Sequence, residues 1–270
     1  MSGIAVYTND PSAKINVMLN TDSTRRWEFT RLRLLGYVQG GGAGVEPVLF
    51  YNNDTIKGYF DIATQTYLFD FHEPTDTFSM GFLQTGRVPR TFVVHGFIPE
   101  NETPGIVYHA IGVNGASVPS YLGCKHFEEE LHLLKPDLMI FGIGINDAAS
   151  RDFTEESFYS DYNALIEKIQ RVNPDCAFIF ITNNDSFRRI SRNNYRVNPN
   201  GEIARKIFYR LAEEHQAGVF DLFSLMGGLS SMRQWQTAGL AQVDKVHFTR
   251  TGYHLIGDLL YNALVDYLKK

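Results

Sequence analysis

The sequence predicts two architectures in series: an antiparallel β-sandwich over residues 1–104, then an α/β domain with a parallel sheet over residues 105–270. Three observations predict this. Short runs rich in β-branched and aromatic residues, separated by turn clusters, fill the first hundred residues. Beyond about residue 120, apolar runs without polar alternation take turns with helical patterns, as strands buried on both faces do. Between the two regimes lies "PENETPG", residues 99–105, where Pro, Gly and acidic residues cluster as in a domain boundary.

The sandwich strands are "GIAVYT", "KINVMLN", "EFTRLRLL", "PVLFY", "TYLFDFH", "TFSMGFL" and "RTFVVHGF". Turn residues such as "TNDPSA", "QGGGAG", "YNNDT" and "HEPTD" separate them. In the second part, "IVYHAIG", "DLMIFGIG", "CAFIFIT" and "GVFDL" read as strands. "SYLGCKHFEEELHLLK", "TEESFYSDYNALIEKIQRV", "GEIARKIFYRLAEEHQ" and "RTGYHLIGDLLYNALVDYLKK" read as helices. The second of these opens on Thr154 with Glu155 and Glu156 in its first turn, a helix-start signal.

Composition narrows the function classes. Net charge is −5 and the calculated pI about 5.9, which speaks against nucleic acid as the partner. No apolar run is long enough to span a bilayer. "MSGIAVYTND" lacks the basic and hydrophobic regions of a signal peptide, so the chain reads either as cytosolic or as a piece of a longer secreted precursor. Cys124 and Cys176 are far apart, and Cys176 reads as a buried thiol.

Chemistry concentrates at three predicted strand ends, where open α/β sheets bind ligands. "VNGAS" offers Gly115, whose bare backbone N–H lets a ligand approach. "IND" offers Asn146, whose amide is a donor suited to a developing oxyanion. "DKVH" sets Asp244 three residues before His247, a carboxylate and an imidazole spaced as an oriented general base. Each feature alone is most often a turn, a helix cap or surface decoration. Their order on three strand ends is the specific signal. A metal site at His126, Glu130 and His132 is disfavoured, since only His126 and Glu130 share a helix face. Neither metal nor cofactor is expected.

These segments resemble the SGNH (GDSL-like) hydrolases. "GVNGAS" is similar to their second motif, "GIND" at 144–147 to their third, and "DKVH" at 244–247 to their fifth. The wider stretch from "MGGLSSMRQW" to "VDKVHFTRTGY" is similar to bacterial cell-envelope esterases that include peptidoglycan O-acetylesterases. The resemblance implies a three-layer flavodoxin-like hydrolase domain interrupted by a jelly-roll, carbohydrate-binding-module-like sandwich. It implies His247 as base, Asp244 as its orienter, Gly115 and Asn146 as oxyanion donors, and an acylated carbohydrate or peptidoglycan-like substrate outside the cytoplasm. The family's Gly-Asp-Ser motif is missing before "VNGAS". The first strand and its serine are therefore expected upstream of residue 1.

Two substitutes for that serine exist. Ser23 lies in "NTDST" among sandwich strands, and Ser186 lies in "NNDSF" after a sheet strand. Ser186 reads as a residue lining the site or capping a turn. Arg188, Arg189, Arg192 and Arg196 crowd the loop after "CAFIFIT". They are either a solvated basic loop or a rim, led by Arg189 and Arg192, that attracts acidic glycans. Sandwich aromatics, among them Trp27, Phe29, Tyr51, Tyr59, Tyr67 and Phe69, stack on sugars or, for the most part, fill the core. The "TNDP" and "YNND" turns read as turns before they read as calcium ligands. The leading function is a carbohydrate O-acetylesterase. The alternatives are an inert glycan-binding protein and a lipase or thioesterase built on the same machinery.

Overall fold

The computed structural model describes residues 3–20, 27–51, 54–192 and 194–269. Ser23 and the "NN" of "YNND" lie outside the described residues. The chain separates into two units, Gly3–Ala110 and the residues from Ile111 on.

The first unit is built from β1 (Val6–Thr8), β2 (Lys14–Met18), β3 (Phe29–Val38), β4 (Val45–Tyr51), β5 (Asp54–Lys57), β6 (Tyr59–Asp61), β7 (Thr66–Thr75), β8 (Thr77–Gln84) and β9 (Phe92–Glu100). They form a five-stranded sheet ordered β1-β9-β3-β7-β6 and a four-stranded sheet ordered β2-β8-β4-β5. All the pairings are antiparallel. Alternation explains the core, because every second side chain of a strand points to the same face. Leu32 and Leu34 of β3, Phe69 and Phe71 of β7, and Phe92 and Val94 of β9 meet Leu49 of β4 and Phe78, Met80 and Phe82 of β8. Phe29 and Phe69 are buried and Tyr51 and Tyr67 pack against that cluster, whereas Trp27 and Tyr59 are exposed. In the "TNDP" turn, Asp10 accepts from the backbone N–H and the hydroxyl of Ser12, an ordinary side-chain turn.

The second unit runs α1 (Val118–Leu122), α2 (Phe127–Leu134), β10 (Leu138–Phe141), α3 (Ile145–Ala149), α4 (Glu155–Val172), β11 (Ala177–Ile181), β12 (Phe187–Ser191), β13 (Asn194–Val197), α5 (Asn200–Glu214), β14 (Gly218–Phe220), α6 (Leu222–Met226), α7 (Met232–Thr237) and α8 (Arg250–Leu268). Strands β10, β11 and β14 form a parallel sheet in that order. Phe178 and Phe180 of β11 face a core completed by α1, α2, α4 and α5. Ile179 and Ile181 face the opposite way, toward Phe220, Leu222, Met232, Phe248 and Ile256. Three layers result from that alternation. Thr154 caps α4, its hydroxyl accepting from the Ser157 N–H at 3.1 Å. Among the described residues, no helix is long and apolar enough to cross a membrane.

Three sequence expectations need correction. "IVYHAIG" is not a strand: it has no ladder partner among the described residues, and Ile106 is 98% exposed with Val107 and Tyr108 also largely open. An apolar β pattern yields a strand only where a neighbour takes up its backbone groups. The helix expected over "SYLGCKHFEEELHLLK" is two helices, because the chain turns at Gly123 after α1 before restarting at Phe127. The arginine-rich stretch after "CAFIFIT" is not a plain loop but the antiparallel hairpin β12–β13, with Phe187 opposite Val197 and Arg188 opposite Arg196.

Candidate active site

The candidate residues come from three loops, of which only one directly follows a parallel strand: Gly115 lies ahead of α1, Asn146 follows β10, and Asp244 and His247 lie between α7 and α8. After β10 the chain crosses Gly142-Ile143-Gly144 into α3. Gly144 has φ +122°, a conformation open to glycine and hostile to other residues. A Cβ there would stand 2.9 Å from Asn183 Oδ1 and 3.0 Å from the Phe158 ring. The tight turn brings Asn146 up beside the loop that follows residue 112. Asn146 Nδ2 donates to the Ala116 carbonyl at 2.8 Å. One of its two amide hydrogens is thereby spent on orientation and the other is left over. Gly115, at φ +78°, is its neighbour in that loop, and a Cβ on it would meet nothing within 4 Å. Gly115 and Asn146 thus belong to one locus with an open side.

Asp147 secures the same locus from below. Both of its carboxylate oxygens accept from the Val118 N–H, at 3.1 and 3.3 Å, tying α3 to α1. Burial pushes the Asp147 carboxyl up, against the pull of that hydrogen bond. Tyr162, wholly buried in α4, donates to the Ile143 carbonyl at 2.7 Å and braces the strand end.

Asp244 and His247 lie on the loop before α8. His247 Nδ1 is 2.7 Å from Asp244 Oδ2. The other Asp244 oxygen accepts from the backbone N–H groups of Val246 (2.9 Å) and His247 (3.0 Å). Partial burial pulls the Asp244 carboxyl upward, but the hydrogen bonds from the His247 ring and the two amides outweigh it and hold the group below the usual range. The carboxylate therefore stays ionised and fixes the ring through Nδ1, while Nε2 has no hydrogen-bond partner among the described residues. Thr249 anchors the loop: its hydroxyl donates to the Gly239 carbonyl and accepts from the Gly252 N–H, capping α8. Gly252 must be glycine, since a Cβ would run into the Leu240 carbonyl. "TGY" is thus a close-packed helix start.

The segment after β11 joins the two loci. Asn184 Nδ2 donates to the Val246 carbonyl at 3.0 Å, and the Phe187 N–H to the Lys245 carbonyl at 3.1 Å. Toward α3, Arg188 Nη2, Asn198 Nδ2 and Asn200 Nδ2 all donate to the Ala148 carbonyl, at 2.9, 3.0 and 2.9 Å. Arg189 and Arg192 are exposed at the hairpin tip, where the Arg189 guanidinium donates to the Ser191 and Arg192 carbonyls. Ser186 is only 4% exposed, its hydroxyl 3.5 Å from Asn198 Nδ2. It is enclosed rather than presented to either locus. Sequence reasoning passed over Arg188 as one arginine among four, and it passed over Asn198 and Asn200. The "NPN" ahead of α5 was the available signal, since clustered amides at a helix start often serve a neighbour's backbone. His126, considered for a metal, has Nδ1 2.7 Å from Glu129 Oε2. No group of metal-ligating side chains gathers among the described residues.

No curated protein matches the chain. Among solved structures, a peptidoglycan O-acetylesterase superposes with a TM-score of 0.78 at 19% identity, over 100% of this chain and 72% of that one. A Bacillus subtilis protein aligns over 97% of this chain and 82% of its own at 14% identity, TM-score 0.45. A lipase/acylhydrolase from Enterococcus faecalis aligns over 56% and 71% at 24% identity, TM-score 0.43. The model of the GDSL-like Lipase/Acylhydrolase family matches residues 79–255. With that match spanning well over half of its 270 residues, the chain belongs to the GDSL-like lipase/acylhydrolase family, hydrolases that act on ester bonds.

Proposed function

We propose that this protein is a carbohydrate O-acetylesterase. In this reading residues 111–270 supply the oriented base and two oxyanion donors, and the attacking serine comes from a segment outside the 270 residues. His247 takes the serine proton through Nε2 and returns it to the leaving alcohol. Asp244 holds the tautomer and steadies the imidazolium. The Gly115 N–H and the free Asn146 amide hydrogen bind the oxyanion. The observation that carries the reading is the Asp244 Oδ2 to His247 Nδ1 contact of 2.7 Å, which leaves Nε2 unengaged on an exposed loop. That a first strand lies outside these residues is supported by the flank of β10 away from β11, which pairs with no strand among the described residues.

The substrate class rests on the shared architecture. The peptidoglycan O-acetylesterase aligns over the whole chain, sandwich included. We read the two antiparallel sheets as a jelly-roll, carbohydrate-binding-type insertion, the exposed Trp27 and Tyr59 as sugar-stacking positions, and Arg189 and Arg192 as the rim facing an acidic glycan. With an acetylated cell-wall glycan as its substrate, the protein would act outside the cytoplasm. The test is acetate release from O-acetylated glycan and from p-nitrophenyl acetate by the product of the complete gene. Asn146→Ala is expected to lose about 100-fold in kcat, the usual effect of one oxyanion donor. His247→Ala is expected to abolish turnover above background. Unchanged kcat in either variant refutes the assignment. Thioester cleavage in preference to glycan acetate would favour the thioesterase reading instead.

A further inference from the structure

The β12–β13 hairpin touches both loci of the site, one residue apart. Phe187 donates its backbone N–H to the Lys245 carbonyl at 3.1 Å. Lys245, between Asp244 and His247, holds φ +58° and sets its ammonium 4.1 Å above the Tyr195 ring of β13. A non-glycine residue adopts that backbone only where the surroundings impose it. The next residue, Arg188, faces α3. Its Nη2 reaches the Ala148 carbonyl at 2.9 Å and the Ser150 carbonyl at 3.3 Å.

The Ala148 carbonyl is unusual. It sits in the last turn of α3, where carbonyls have no intrahelical donor, and Ala148 is fully buried. Three side-chain N–H groups converge on it, from Arg188, Asn198 and Asn200. A carbonyl oxygen has two lone pairs, so one carbonyl bond would have satisfied burial. Three donors, Arg188 from the hairpin with Asn198 and Asn200 from the stretch that leads from it into α5, instead fix where α3 stands, and α3 carries Asn146 two residues earlier. No comparable set of donors reaches the carbonyls of α3 from the sheet side among the described residues.

We propose that the β12–β13 hairpin is the positioning element of the active site. Arg188 acts on the Asn146 amide through the Ala148 carbonyl. Tyr195 and the Phe187 N–H act on His247 through Lys245. The hairpin thereby sets the separation between oxyanion donor and base. This rests on the assignment of Asn146 and His247 made above.

The test reads the two loci separately. In 15N-labelled protein, Arg188→Met shifts the Asn146 side-chain amide resonances and leaves the His247 Nδ1 proton signal in place. Tyr195→Ala does the reverse. Arg188→Lys, which keeps a donor, retains part of the Asn146 position and covers the case in which Arg188→Met fails to fold. In the product of the complete gene, Arg188→Met lowers kcat for p-nitrophenyl acetate about 10- to 100-fold with KM nearly unchanged, as a displaced catalytic donor does. Asn146 resonances that stay put in both Arg188 variants, whatever happens to the melting temperature, overturn the proposal. So do equal shifts at both loci in every variant. If the resonances move as stated but Asn146→Ala leaves hydrolysis intact, the functional assignment has failed and the positioning role has not.

Discussion

Replacing Gly144 with alanine tests how the Asn146 locus is built. At φ +122° an L-residue is strained, and holding a residue in such a sparsely populated region costs about 1–3 kcal/mol. The new Cβ would also sit 2.9 Å from Asn183 Oδ1, 3.0 Å from Phe158 Cζ and 3.3 Å from Phe158 Cε2. Phe158 is buried among Tyr162 and Phe208, so its ring has little room to yield. Overpacking of this kind costs typically about 1–3 kcal/mol. The two effects together give about 2–6 kcal/mol. Gly115→Ala is the internal control, since it has positive φ but open space around the Cβ. It should cost only the left-handed penalty of about 1–2 kcal/mol. Urea unfolding followed by near-ultraviolet circular dichroism measures both. In thermal melts the Gly144 variant should lie about 4–24 °C below wild type, by the usual scaling of about 2–4 °C per kcal/mol for a unit of this size. Equal losses for the two variants would show that backbone strain alone matters and would refute the close-packing account of the α3 approach.

Other predictions follow from the same contacts. Because Asp244 titrates lower when folded than when unfolded, its contribution to stability is present above the ordinary aspartate value and disappears as pH falls through the lowered one. Asp244→Asn should therefore destabilise the loop at neutral pH, with the gap to wild type closing below about pH 4, as urea titrations across that range would show. Arg189→Ala and Arg192→Ala should raise KM for anionic acetylated glycans and leave it unchanged for p-nitrophenyl acetate; equal effects on both substrates would exclude a charge-recognition role. The Cys176 thiol is pushed up to about 11 by burial. Its alkylation at pH 8 should therefore be slow and should accelerate in parallel with unfolding, with rapid modification of folded protein counting against its enclosure.

Much of the fold was legible because side-chain period reports burial. The alternation of Phe178 and Phe180 with Ile179 and Ile181 splits cleanly between the two faces of the sheet, and Thr154 announced its helix. The misreadings have one physical source: periodicity names a face that wants covering but not the partner that covers it. "IVYHAIG" carries a strand-like pattern, yet no strand pairs with it among the described residues. The β12–β13 hairpin carries four arginines and looks solvated, yet Phe187, Tyr195 and Val197 pack into the core beneath it. For the candidate site, residue types singled out Gly115, Asn146, Asp244 and His247 as candidates. The amides and the guanidinium that brace them act on backbone carbonyls, and backbone acceptors leave no trace in side-chain spacing.

Strand β10 pairs with β11 on one flank, and among the described residues no strand pairs on the other. Its other flank offers a row of main-chain donors and acceptors beside the half-open Leu138. Such an edge is a template for any extended peptide that reaches it. If that flank takes the first strand proposed above, the 270 residues alone should self-associate as their concentration rises, and the product of the complete gene should not.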